Sequence, residues 1–193
     1  MKHAQKNRAM ISAAVLAIVA AAAVACSSLS STVATTKSTS SPASLTDSQV
    51  TSLLQSGLKQ ADQKKWSAAT TIFKHVLAIN PSNVYADYDL GWIAQSTANS
   101  DEAISYYKKA LAANAAYTPA MYNEAILLET SQPQQAIAIY QKIVSIDPKA
   151  SSAYLRLALV QAEQGDMTAA KANDAKAVSL DPALSKYKLP AKN

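Results

Sequence analysis

From about residue 49 onward, apolar positions recur at intervals of three and four, the spacing that lines side chains along one stripe of an α-helix. The stripes are interrupted on a schedule. Ala69, Ala103, Ala136 and Ala170 are 34, 33 and 34 residues apart. Four residues after each comes Phe73, Tyr107, Tyr140 and, breaking the series, Asp174. The apolar pairs Val76-Leu77, Ala110-Leu111, Ile143-Val144 and Ala177-Val178 follow, then Ile79, Ala113, Ile146 and Leu180. Blocks close on Asn80-Pro81, Asp147-Pro148 and Asp181-Pro182, with Asn114-Ala115 in the second. Gly57 and Gly91 are also 34 apart, and Ala125 and Ala158 take the same small-residue place.

Such a period predicts one pair of helices per repeat. Each proline ends the second helix of a pair, because the residue before proline is pushed out of the helical region. The small residues let the first helix of a pair lie close to the second. Turns such as Gln164-Gly165-Asp166 and Gln132-Pro133 join the two helices, and the one-residue deletion in the third repeat falls there, where it disturbs no helix register. Thr46-Asp47-Ser48-Gln49 has the form of a capping box that starts the first helix. Trp66 and Met167, at the starts of second helices, read as core.

The pattern over about 50–182 resembles the tetratricopeptide repeat family, most clearly in its last copy, SSAYLRLALVQAEQGDMTAAKANDAKAVSLDP. The resemblance implies an all-α chain: an α-solenoid of four helix-turn-helix repeats (about 50–83, 84–117, 118–150 and 151–183) in a right-handed superhelical arc. This domain spans 47–183, and residues 184–193 form a tail or cap over the end of the last pair.

The amino terminus has a different character. MKHAQKNR is followed by 17 uncharged, mostly apolar residues and then Cys26, the pattern of an export signal. At about 1.5 Å per residue the segment is shorter than a ~30 Å hydrocarbon core, and nine of its residues are alanine. Ala23-Val24-Ala25-Cys26 resembles the lipobox of bacterial lipoproteins, in which the cysteine is lipidated, although the family prefers Leu where Ala23 stands. Residues 1–26 are thus a signal peptide with lipidation at Cys26, a retained single-span membrane anchor, or a segment cleaved for free secretion. Each route puts the body outside the cytoplasmic membrane. Residues 27–46, mostly Ser, Thr and Ala, read as a disordered linker.

Charge narrows the partners. The chain carries 18 Lys and Arg against 13 Asp and Glu, yet residues 49–182 hold 11 basic and 12 acidic groups. No basic face is available to neutralise phosphates, so nucleic acid is not an expected partner. A lone cysteine and two histidines argue against a disulfide framework or a Cys/His zinc site. His75 takes the place of Lys109, Lys142 and Lys176 in the other repeats and is expected in solvent. Asp101 and Glu102 suit the first turn of a helix as caps. With three glycines and no phosphate-cradling motif, neither catalysis, a cofactor nor a small-molecule substrate is expected.

The resemblance instead implies a protein or peptide held in a concave groove lined by the first helices. Carried over repeat by repeat, that groove presents Tyr85, Tyr88, Trp92, Gln95 and Ser96 in the second repeat, and Tyr122, Asn123, Ile126, Glu129 and Thr130 in the third. Leu155, Arg156, Leu159 and Glu163 belong to the fourth, and Leu54, Leu58 and Asp62 to the first. Central aromatics are apt binding anchors, having large contact area and few rotors to freeze; they also suit packing between neighbouring first helices. Repeats that clamp the acidic tails of heat-shock chaperones carry Lys, Arg and Asn at several of these places. Here only Asn123 and Arg156 remain, so an apolar or aromatic-rich peptide fits better. The expected function is a non-enzymatic, extracytoplasmic, membrane-tethered scaffold, in envelope assembly or appendage biogenesis. Two alternatives stay open: a structural oligomer formed through the groove or solenoid ends, and a cell-wall carbohydrate binder stacking sugars on Tyr88, Trp92 and Tyr122.

Overall fold

Asparagine and aspartate, rather than proline, are common to all four repeat boundaries, and the structure gives the reason. The computed structural model describes residues 47–190; the expected export segment with Cys26 and the linker lie outside the described residues, as does Thr46 of the capping box. Eight helices follow one another: α1 (Asp47–Asp62), α2 (Trp66–Ile79), α3 (Val84–Ser96), α4 (Ser100–Ala113), α5 (Thr118–Leu128), α6 (Pro133–Ile146), α7 (Ser151–Glu163) and α8 (Met167–Leu180). A short 3₁₀ helix, Pro182–Lys186, closes the described chain. The second helix of each pair ends on Asn80, Asn114, Asp147 or Asp181, all in extended conformation. Each side-chain oxygen accepts the N–H two residues on, from Ser82, Ala116, Lys149 and Ala183 at 2.9–3.2 Å. These turns form with or without the proline, so Asn114-Ala115 ends α4 as well as its Pro-bearing counterparts end theirs.

Within pairs the turns are equally regular. Lys64, Ala98 and Gly165 occupy the left-handed region, at φ 58°, 64° and 87°. Around each, two backbone bonds close the end of the first helix, for example Ala98 N–H to the Gln95 carbonyl and Asn99 N–H to the Ala94 carbonyl. That is the Schellman arrangement. The third repeat lacks this left-handed residue, and the deletion predicted for its turn falls between the starts of α5 and α6, whose first residue is Pro133.

Helices pack in chain order, α1 on α2, α2 on α3 and onward, and the first helices also touch one another, α1 to α3 and α3 to α5. This is an α-solenoid, as the period predicts. The glycine places are demanded by contact: a Cβ on Gly57 would stand 2.7 Å from Phe73 Cε1, and one on Gly91 would stand 2.6 Å from Tyr107 Cε1. Phe73, Tyr107 and Tyr140 are fully buried at the centres of successive core clusters. Trp66 and Met167, expected in the core, are only half-buried. Each opens a second helix beside a turn, so one side of the side chain meets solvent; Trp66 packs edge-on against Trp92 with ring centres 5.5 Å apart.

Candidate functional site

Where a second-helix aromatic carries a hydroxyl, the first helices supply a partner for it. Tyr107 on α4 donates to Gln95 Oε1 on α3 at 2.6 Å. Asn123, one repeat on, donates from Nδ2 toward the Tyr107 and Tyr88 hydroxyls at 3.4 and 3.3 Å. The next repeat repeats the design with charge: Tyr140 on α6 donates to Glu129 Oε1 at 2.6 Å, and Arg156 on α7 donates through Nη2 to Glu129 Oε2. Residues 95 and 129 are repeat equivalents, as are 123 and 156. At the first repeat the aromatic is Phe73 and the place of Gln95 is taken by Ala61. Each polar layer therefore ties a pair to its successor.

Burial sets the electrostatics. It drives the Tyr107 and Tyr140 phenols well above their ordinary range. Burial also pushes Tyr122 up to about 12, with Arg156 pulling the other way and Glu129 and Tyr187 adding to the rise. Glu129 lies above the usual carboxylate range because its desolvation outweighs the help of Tyr140 and Arg156.

The expected groove residues fall into distinct environments. Tyr88 and Asn123 are 6% exposed and belong to the hydrogen-bonded layer, with half-buried Gln95 beside them. Tyr122, half-buried, sets its ring 5.8 Å from that of Tyr140, so Tyr122, Glu129 and Arg156 gather around one phenol, with Ile126 packed against the same cluster. Trp92 joins Trp66 at the junction of the first two repeats instead. Tyr85, at 45% exposure, stands edge-on to Tyr117 with ring centres 5.9 Å apart. Leu155 is 7% exposed beneath the carboxy-terminal segment. Residue-by-residue reasoning passed over Tyr107 and Tyr140 as site components, although a signal was present: the acceptors Gln95 and Glu129 occur only in the repeats whose aromatic is tyrosine.

The other features are modest. A pocket of about 160 Å³ lined by Leu111, Ala115, Met121, Glu124, Ile139 and Lys142 shares no residue with the expected groove. It is smaller than the roughly 300–1,000 Å³ of small-molecule sites. His75 is exposed. Among the described residues, no His, Cys, Asp and Glu cluster is placed to hold a metal ion, and no helix is long and apolar enough to cross a membrane.

Two stretches, 88–117 and 127–172, match family models described as tetratricopeptide repeat. The chain is a tetratricopeptide repeat protein. No curated protein matches its sequence. Solved structures with the same helical stack include MamA, 25% identical with a TM-score of 0.64 over 72% of this chain and 81% of that one. The pilF protein of Pseudomonas aeruginosa is 22% identical, with a TM-score of 0.65 over 72% of this chain and 65% of its own. YrrB, described as a tetratricopeptide repeat protein with an unusual peptide-binding site, is 19% identical, with a TM-score of 0.61 over 72% of this chain and 74% of its own. Proteins built from these repeats commonly mediate protein–protein interaction, and their folds are typically non-catalytic scaffolds.

Proposed function

We propose that this tetratricopeptide repeat protein is a membrane-tethered scaffold outside the cytoplasmic membrane that holds a protein or peptide along its first-helix face. The observation that carries the reading is the buried layer beneath that face. Half-buried Tyr122 and Ile126 ride on tyrosine and carboxylate groups that are already hydrogen-bonded to one another, and exposed Tyr85 stands on Tyr117, which packs edge-on against buried Tyr88. A partner would meet aromatic area whose supports are fixed in advance, which lowers the ordering cost of association. The peptide-binding site described for YrrB is consistent with such a use of the fold.

In-cell photocrosslinking tests it. A crosslinkable residue at Tyr85 should give a discrete partner band that the same residue at exposed Lys109 does not. Equal smears from both sites would count against a groove. Tethering has a separate test: Cys26→Ala should abolish fatty-acid labelling of the full chain, and an unlabelled wild type would remove the lipid anchor.

A further inference from the structure

Repeat register explains the pocket of about 160 Å³ left where the second repeat meets the third. Its wall carries Ala115 where the joints on either side have Pro81 and Pro148, and Ile139 where the preceding joint has Tyr106. In that preceding joint the Tyr106 ring packs on the core cluster that holds Leu90, with Lys109 Nζ 4.9 Å from its centre. Here both rings are missing, while Lys142, the equivalent of Lys109, still lines the space. The chemistry of the wall departs as well. Glu124 takes the place of Leu90 and Leu157, each 2% exposed, and is itself only 4% exposed. Among the described residues its carboxyl is engaged by no hydrogen bond, although it feels the charge of Lys108. A carboxylate so far removed from water is a strong acceptor for a donor that enters beside it.

We propose that this pocket receives a tyrosine side chain of a partner protein. The ring fills the space that Tyr106 fills one joint earlier, with Lys142 over its face, and the hydroxyl donates to Glu124. Phenylalanine would leave the carboxylate without a donor, and a lysine or arginine would enter against the charges of Lys108 and Lys142. The volume suits one side chain rather than a whole small molecule, and flexible Met121 on the wall can adjust to the ring. The pocket shares no residue with the first-helix groove, so this second contact surface and the groove stand or fall separately.

The test uses the full chain in detergent with isotope-labelled Met and Ile methyl groups, titrated with N-acetyltyrosinamide and its phenylalanine and tryptophan counterparts. The tyrosine amide should shift the Met121 and Ile139 methyl signals and bind about tenfold more tightly than the phenylalanine amide, the margin of a hydrogen bond to a charged group. Glu124→Leu, which installs the residue of the flanking repeats, should erase that margin while keeping the helical circular dichroism. Ile139→Tyr, which copies Tyr106, should close the pocket to all three amides. No shift with the tyrosine amide, equal binding of the phenylalanine amide, tighter binding of the tryptophan amide, or a margin that survives Glu124→Leu overturns the proposal. So does an Ile139→Tyr variant that loses its helical signal, since the space would then not be the one Tyr106 fills. The same two methyl signals shifting with protein concentration alone would make the occupant a second copy and overturn the assignment to a partner.

Discussion

Lys64, Ala98 and Gly165 occupy equivalent turns in the left-handed conformation, but only one of them is glycine. A side chain with a Cβ costs roughly 1–2 kcal/mol there, partly offset by the larger entropy a glycine loses on folding. Ala98→Gly should therefore stabilise the protein by about 0.5–1 kcal/mol, and Gly165→Ala should destabilise it by a similar amount. Urea midpoints measured on both variants check the pair. A Gly165→Ala variant as stable as the wild type would mean that the turn relaxes rather than holding the left-handed residue. Gly165→Ala makes no new contact, since nothing lies within 4 Å of a Cβ built there. The effect is thus one of backbone conformation alone.

Among elements, the joint between neighbouring pairs is decided by what the second-helix aromatic offers its neighbours. Tyr107→Phe removes a hydroxyl that serves both Gln95 and Asn123, and should cost about 1–3 kcal/mol by leaving polar atoms without a partner. Adding Gln95→Ala should return about half of that loss, because the layer then takes the apolar form already present in the first repeat, where Phe73 and Ala61 share a core cluster. Denaturant titration of the single and double variants would show it, and a double variant less stable than the single would contradict it. Joints of this kind explain why the fold was more legible than the site. Helices and turns follow from the three-and-four spacing and the 34-residue period, which are local to a repeat. Whether Tyr88 or Tyr85 faces solvent depends on where the next repeat is placed: Asn123 arrives from it and Tyr117 from the turn leading into it to cover Tyr88, while Tyr85 remains 45% exposed. Repeat register puts both residues on the same helix face. It carries no information on how closely the following pair approaches.

At the scale of the whole molecule, three carboxyls shape the response to pH: Asp87 and Glu124, which are buried, and Glu129, which is half-buried. Burial raises Asp87, Glu124 and Glu129 above their ordinary values of 3.8, 4.5 and 4.5. A folded-state carboxyl that holds its proton more tightly than the unfolded one makes stability fall as pH rises through its folded value. The penalty is relieved as the solution is acidified toward the unfolded values. The urea midpoint should accordingly be higher at pH 5 than at pH 7. Asp87→Asn, at a side chain 3% exposed whose Oδ1 has no hydrogen-bond partner, should raise the pH 7 midpoint and shrink the difference. A wild-type midpoint that fell on acidification would show that these carboxyls do not dominate the pH response.

The two ends of the stack depart from its interior in opposite ways. At the first repeat the aromatic place holds Phe73, which fits against Gly57 and meets the methyl of Ala61 rather than an acceptor. At the last repeat the same place holds Asp174, whose Oδ1 is buried without a partner, and the acceptor position is Ala162. Space for a ring there has a precedent, since the small residue facing it is Ala158, the equivalent of Ala125, which packs in one core with Tyr140. An aromatic at 174 should therefore be accepted, and the missing acceptor decides which one. A tyrosine would bury a hydroxyl against Ala162, whereas a phenylalanine repeats the Phe73–Ala61 pairing. Asp174→Phe should stabilise the chain by about 1–2 kcal/mol through the ring it buries, with Asp174→Tyr gaining less. For a domain of this size each kcal/mol raises the melting temperature by about 2–4 °C. Thermal denaturation read with amide hydrogen exchange should place the added protection in α7 and α8. If Asp174→Phe lowers the melting temperature, or the tyrosine surpasses it, the last repeat is not packed as a copy of the first.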